Sequence, residues 1–405
     1  MAHERKRHLA SALRHLATLS PLVGLIGHRQ VGKTTLLEAI AQQYLSLDDE
    51  DDLQAANSDP KAFIGALKKL GTAIDECQHS ERLFPALKER VRKDKRPGQF
   101  YLSGSIRFTS KKLIRESLTG RIMTADLYPL TLSELDRADL PDWVPRLLAA
   151  RRVGDLPMPH LPASEHRRRL RLIEQYDSHG GLPGACFIRS PKLRVQKLLD
   201  QIETIVDRDL RQVHDTTLPI PELMRLLREL ALLDGAPLQH QQLRRATGIS
   251  PITQKKLLFA LEAVFIIRTV PIEGDYRGSA HFFEDQAEVA MLARDRLSDD
   301  QRWSGLIFRN LREQVAYRIG INAEFFQYRT RAGVCVPIAI RTQDSTLGII
   351  PIRGSPSRAA MAAAHSFLRR YGHGKVALVS DTNETHAIDE RTLLMSASQL
   401  LFPWP

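Results

Sequence analysis

The sequence predicts an α/β fold: a parallel sheet covered on both faces, then a helical module, then a second α/β region. Three observations predict it. Short apolar runs with the length of buried strands alternate with helical stretches between residues 21 and 125. The first of these runs passes directly into a polar, glycine-bearing loop and then a helix. The same alternation returns over residues 276–405, after a stretch without strand-like runs. The 405 residues allow two to four units of about 100–200 residues each. At 43% hydrophobic and 26% charged the chain can build sizeable cores, which excludes wholesale disorder, a collagen-like repeat and a coiled-coil rod.

In order, residues 5–19 read as a basic amphipathic helix within an N-terminal segment 1–20. Pro21 to Ile26 has the length of a buried strand, and from Lys33 onward Leu36, Leu37, Ile40 and Ala41 recur at helical spacing. Further strands are expected at Tyr44–Leu47, Thr72–Ile74, Gln99–Leu102 and Ile122–Ala125, with helices around 60–70, 82–94 and 110–118. Strands separated by helical crossovers imply a parallel sheet, so 21–140 is taken as one α/β unit. Pro141, Pro145, Pro157, Pro159 and Pro162 then break up an Arg-rich stretch, and 141–220 reads as linker and helical lid. Residues 221–275 hold two or three helices and end in the alternating run Val264 to Val270. The last unit, 276–405, is expected to carry strands at 323–329, 334–340, 346–352 and 375–380.

Lys and Arg outnumber Asp and Glu by 58 to 47, a net charge of +11, which suggests a polyanionic partner without naming it. Three scattered cysteines, Cys77, Cys186 and Cys335, offer no zinc spacing or disulfide framework. No apolar run reaches the roughly 18–20 residues of a membrane span, and the basic N-terminus lacks the apolar core of a signal peptide, so a cytoplasmic location is expected.

The strongest signal is Gly27-His28-Arg29-Gln30-Val31-Gly32-Lys33-Thr34, a complete G-x-x-x-x-G-K-[ST] between a strand and a helix. The two glycines let successive N–H groups face phosphate oxygens, and the helix N-terminus adds its dipole. Lys33 supplies a mobile charge for the β- and γ-phosphates, Thr34 an oxygen for Mg²⁺, and the loop together with Thr35 forms the nucleotide-binding set. Hydrolysis also needs a carboxylate for the metal shell and a group acting on the attacking water. Asp75 and Glu76, ending a candidate strand, fill those roles as metal residue and base. Ser103, the better placed of two serines ending Phe100 to Ser105, is expected to contact the γ-phosphate or the water; strand-to-loop serines are also routine turn residues.

These segments, with Tyr44 to Asp49, Ile74 to Gln78, Leu102 to Ser105, and Leu118 to Arg121 followed by Leu127 to Leu130, resemble prokaryotic AAA+-type P-loop ATPases. That group carries an N-terminal AAA domain and a C-terminal domain of unknown function (DUF4143-type) related to restriction endonucleases. The resemblance continues through Gly180-Gly181-Leu182-Pro183 and Asp207-Arg208-Asp209-Leu210. It implies ATP and Mg²⁺ as cofactors and a P-loop NTPase sheet for the first unit. It also places Arg121 where an arginine senses the γ-phosphate or reaches a neighbouring subunit, an ordinary surface ion pair being the alternative.

Leu238 to Ala246, a break at Thr247-Gly248-Ile249-Ser250-Pro251, and Ile252 to Val264 read as a winged helix-turn-helix. Thr253, Gln254, Lys255 and Lys256 would start its second helix, where such folds face DNA; a packing or protein-binding module is the alternative. The basic stretch 146–171 could bind phosphates, or be a solvated helical face.

By the resemblance, residues from His281 onward keep a restriction-endonuclease-like core whose relatives bind a divalent metal through a helix Glu, a strand Asp and a Glu-x-Lys. Here Arg309, Pro337 and Pro351-Ile352-Arg353 stand at those positions. Proline offers no ligand and arginine cannot replace a carboxylate, so cleavage is not expected. The arginines could instead form a phosphate-binding surface, or the unit could be a scaffold. Displaced carboxylates such as Glu313, Glu324 or Asp344 are the remaining route to a nuclease. Read together, the sequence points to ATP hydrolysis coupled to DNA or to a partner, either a protein or a second copy, with an assembly switch that never touches nucleic acid as the alternative.

Overall fold

The computed structural model describes residues 5–404 except 69, 111, 159, 277 and 295. Its first sheet contains β1 (Leu22–Gly27), β2 (Gln43–Ser46), β3 (Thr72–Asp75), β4 (Phe100–Gly104) and β5 (Ile122–Leu127) in the order β2-β3-β4-β1-β5, all parallel. Every residue of β1 is buried, because both faces are covered. Leu22 and Ile26 join Ile74, Phe100 and Leu102 on one face, whereas Val23 and Leu25 join Ala73 and Tyr101 on the other. That period of two is the strand pleat read out in packing. Helix Leu9–Leu19 lays Leu9, Ala12 and Leu13 on the second face. The C-terminal ends of β1, β3 and β4 therefore open on one edge, with β4 between the other two.

The helices from Ala163 to Ala263 form the middle of the chain, and Leu223, Leu226, Leu227, Leu230, Leu243, Leu257 and Leu261 make its core. Helix His240–Thr247 ends at Gly248, whose φ of 77° suits glycine. Ser250 caps the next helix, Pro251–Ala263, by accepting from the Thr253 N–H, with Pro251 in the first turn.

The second sheet has eight strands: β6 (Ile267–Gly274), β7 (Gly278–Phe283), β8 (Glu324–Arg329), β9 (Cys335–Arg341), β10 (Thr346–Pro351), β11 (Gly374–Ser380), β12 (His386–Ala387) and β13 (Thr392–Ser396). Their order is β12-β13-β11-β10-β9-β8-β6-β7. Strands β8, β9 and β10 are antiparallel, and β10, β11 and β13 parallel. The boundary expected between 275 and 276 falls between two paired strands. The ribbon β6–β7 is the edge of this larger sheet, because β6 also pairs with β8.

The Arg-rich stretch is not a free cationic stripe. Arg168 pairs with Asp136 and Glu165, Arg169 with Glu165, and Arg146 with Asp142. Among the described residues, no helix is long and apolar enough to cross a membrane.

Candidate nucleotide site

The loop after β1 has the form its spacing predicts, and each glycine has a distinct reason. A Cβ on Gly27 would lie 2.5 Å from the Leu127 carbonyl oxygen, so the neighbouring strand β5 forbids a side chain there. Gly32 has φ of 99° and precedes helix Lys33–Ile40. Lys33 is buried, and its Nζ donates to the Gly27 and His28 carbonyls, 3.2 Å each. Burial lowers its pKa, against the attraction of Glu76, Asp75 and Asp209.

Asp75, buried at the end of β3, is where the expected residues meet. Thr34 Oγ1 donates to its Oδ2 at 2.5 Å, Tyr44 OH to the same oxygen at 2.8 Å, and Ser103 Oγ to Oδ1. Strand β4, lying between β1 and β3, carries Ser103 into that position. Glu76 follows with φ of 50°, an uncommon conformation for a residue with a side chain, which turns it off the strand line. Gln78 Nε2 donates to the Glu76 carboxylate and lies 3.2 Å from Ser105 Oγ. Gln78 was not expected from sequence as a site residue, and neither was Tyr44. An oxygen-rich set of hydroxyl and carboxylate at Thr34 and Asp75 suits Mg²⁺.

The four variable loop positions all touch residues distant in sequence. His28, buried, places Nε2 3.2 Å from Glu288 Oε1; burial disfavours its charge, but Glu288 outweighs that and raises its pKa. Arg29 Nη1 lies 3.3 and 3.4 Å from the two oxygens of Asp209. Gln30 closes on Gly184, where a Cβ would sit 2.8 Å from its Oε1. The Val31 carbonyl accepts from Arg7 Nη1 at 2.7 Å. Arg7, expected on a basic amphipathic helix, precedes helix Leu9–Leu19 and is buried under the loop, its Nε 3.1 Å from Glu134. Thr35 is exposed on the loop helix and has no described contact with the site.

Several expectations are corrected. Arg121 precedes β5, and its neighbour Ile122 pairs with Leu22 at the start of β1. It therefore lies at the edge of the sheet opposite the loop, about 20 Å away along six residues of strand, and cannot sense a γ-phosphate bound by its own chain. Gln254 is fully buried, bonded to His240 Nδ1 at 2.8 Å and to the Ile249 carbonyl at 2.8 Å, so it presents nothing to DNA. Thr253 is half-buried in the helix cap beside Ser250, whereas Lys255 and Lys256 are exposed.

Arg309 forms no surface. It is buried, donating to Asp234 at 2.7 Å, to Gln286 at 2.9 Å and to the Phe283 carbonyl at 2.9 Å. Arg353 lies over the Trp303 ring at 4.1 Å and pairs with Asp381. The displaced carboxylates do not converge: Glu313 is buried against His8, Thr131 and Ser133, Glu324 pairs with Arg341, and Asp344 lies in the loop between β9 and β10.

Comparison with known proteins agrees with this geometry. Residues 19–136 match a AAA domain family, and residues 170–273 match a domain of unknown function (DUF8612). Two curated relatives, uncharacterized protein Rv2008c of Mycobacterium tuberculosis and uncharacterized protein Mb2031c of Mycobacterium bovis, are each 28% identical over 266 residues. That is 65% of this chain and 52% of each relative, so the chain spans about half the length of the curated relatives it matches. The loop Gly27–Thr34, Asp75, Glu76 and Ser103 all fall inside the first match, so the N-terminal part of this chain is similar to the AAA domain family.

Proposed function

We propose that the chain binds ATP with Mg²⁺ in the loop Gly27–Thr34, hydrolyses it, and passes the nucleotide state to its helical and C-terminal units. The observation that carries this reading is the meeting of Thr34, Ser103 and Tyr44 on one buried carboxylate, Asp75, beside Lys33. Lys33 would exchange its two loop carbonyls for phosphate oxygens. Thr34 and Asp75 would hold Mg²⁺, which when bound neutralises phosphate charge. Glu76, held by Gln78, would orient the attacking water and take its proton, with Ser103 at the strand end between loop and carboxylate. Arg121 can contribute only to the site of a neighbouring copy. Titration of Mg·ATP into the wild type and Lys33→Ala tests the binding: the account expects saturable binding that Lys33→Ala abolishes, and equal binding by both refutes it.

Downstream, two helices and the ribbon β6–β7 support a winged-helix reading, with Lys255 and Lys256 free to meet DNA phosphates. Helix Asp299–Leu311, strands β8–β9–β10, helix Arg358–Arg370 and the parallel strand β11 follow in an order that supports a restriction-endonuclease-like fold. With Arg309, Pro337 and Arg353 at its ligand positions, this unit acts as a scaffold rather than a nuclease. One observation favours the second reading, a protein partner. Ile252 and Phe259, each about one turn from the lysines on helix Pro251–Ala263, are 72% and 61% exposed. DNA binding that weakens steeply with salt supports the DNA-linked reading, and absence of binding supports the protein-linked one.

A further inference from the structure

Asp209 has no role in the reading above, yet it sits among the charges of the phosphate site. It ends the five-residue π-turn Ile205–Asp209, which interrupts the helical run from Pro191 to Val213. Its side chain is 5% exposed, and a single nitrogen of Arg29, Nη1, donates to both its oxygens at 3.3 and 3.4 Å. Burial raises the Asp209 pKa, as does the nearby charge of Glu76, against Arg29 and Lys33. Lys33 in turn feels Asp209. The carboxylate thus touches the one arginine of the loop and lies within the electrostatic reach of Lys33 and Glu76, where a bound triphosphate brings its own negative charge.

Such a charge cannot be added beside a buried carboxylate without cost. Arg29 is the movable element: its side chain is 29% exposed, and phosphate is a better bidentate partner for it than a crowded aspartate. Helices with a π-turn hold an extra residue at that point, and such turns recur at functional sites. The helix carrying Asp209 also touches the loop through Gln201, whose Nε2 donates to the Arg29 carbonyl at 2.9 Å. Beyond the turn, Leu210 packs with Leu223, Leu227 and Leu257 of the helical module.

We propose that Asp209 is a positioning residue that holds Arg29 in the nucleotide-free protein and yields it to the γ-phosphate of ATP, so that the π-turn carries the displacement into the helical module. This inference rests on the ATP-binding reading and adds the route by which the nucleotide is sensed. In the absence of the γ-phosphate the Arg29–Asp209 pair re-forms, so ATP and ADP leave the turn in different states.

Amide hydrogen exchange across residues 200–231 of the full chain, with Mg·ATP, Mg·ADP and no nucleotide, tests it beside Asp209→Asn and Arg29→Ala. The wild type is expected to exchange faster in 205–213 with ATP than with ADP. Asp209→Asn, of the same shape without the charge, is expected to lose that difference and to bind ATP about tenfold tighter while ADP binding changes less. Arg29→Ala is expected to lose the difference and to bind ATP more weakly. Wild-type protein that binds ATP with identical exchange in both nucleotide states overturns the switch alone, as does an Asp209→Asn variant that keeps the difference. Wild-type protein that binds no ATP overturns the switch together with the reading beneath it.

Discussion

Replacing Arg309 tests whether its buried pair with Asp234 is structural. The guanidinium is buried, as is Asp234, with side-chain exposures of 1% and 2%. Arg309→Met removes the three donated bonds and leaves the Asp234 charge in the core, where its other described contact is the Phe283 N–H at 2.8 Å. Removing one partner of a buried pair costs about 3–5 kcal/mol. The three tryptophans, Trp143, Trp303 and Trp404, all belong to the core that helix Asp299–Leu311 helps to form, so their fluorescence reports this unit selectively. With an m-value of about 2–3 kcal/mol/M, the urea midpoint falls by about 1–2.5 M. Adding Asp234→Asn removes the orphaned charge but keeps the acceptor for Phe283, and should recover about half of the loss. A midpoint for Arg309→Met within about 0.3 M of wild type, or a double variant no better than the single, would refute the reasoning.

Asp75→Asn turns an acceptor for three hydroxyls into a group that also donates, and should reduce Mg-dependent ATP turnover at least about a hundredfold with little change in far-ultraviolet dichroism. Gly181→Ala puts a Cβ 2.0 Å from the Leu130 carbonyl oxygen and should destabilise by about 3 kcal/mol or more, whereas Gly65→Ala, in open space on helix Pro60–Ala66, should stabilise by up to about 1 kcal/mol; thermal melts compare the two. Burial pushes the Glu284 carboxyl up, but Arg312 and Arg268 outweigh it and hold it at about 2, below its ordinary 4.5. A lowered carboxylate stabilises the fold above its unfolded value, so about 3 kcal/mol is present at neutral pH and is lost as pH falls from about 4.5 towards 2. Glu284→Gln should flatten that part of the stability profile, and an unchanged acid limb would count against it.

The loop from Gly27 to Thr34 was legible in the sequence because its chemistry is local: close-approach glycines, a lysine and a helix start lie within eight residues. Asp75, Glu76 and Ser103 were legible once that loop was found, since strand ends carry them. Its supports were not. Arg7, Asp209 and Glu288 reach the loop from up to 260 residues away, and no short spacing encodes such contacts. Gln254 read as a solvent-facing residue at a helix start, yet its amide bridges His240 and Ile249 across the turn. Arg309 was visible as a missing acid, but its burial depends on Asp234, 75 residues earlier. The ribbon after Val264 was foreseen as strands, whereas its pairing with β8 depends on a segment some 50 residues further on.

The central claim is that this chain hydrolyses ATP through Glu76, and turnover by Glu76→Gln tests it most directly. The account predicts a variant that binds Mg·ATP as the wild type does and releases phosphate at least about a hundredfold more slowly. A Glu76→Gln protein that hydrolyses ATP at the wild-type rate would contradict it.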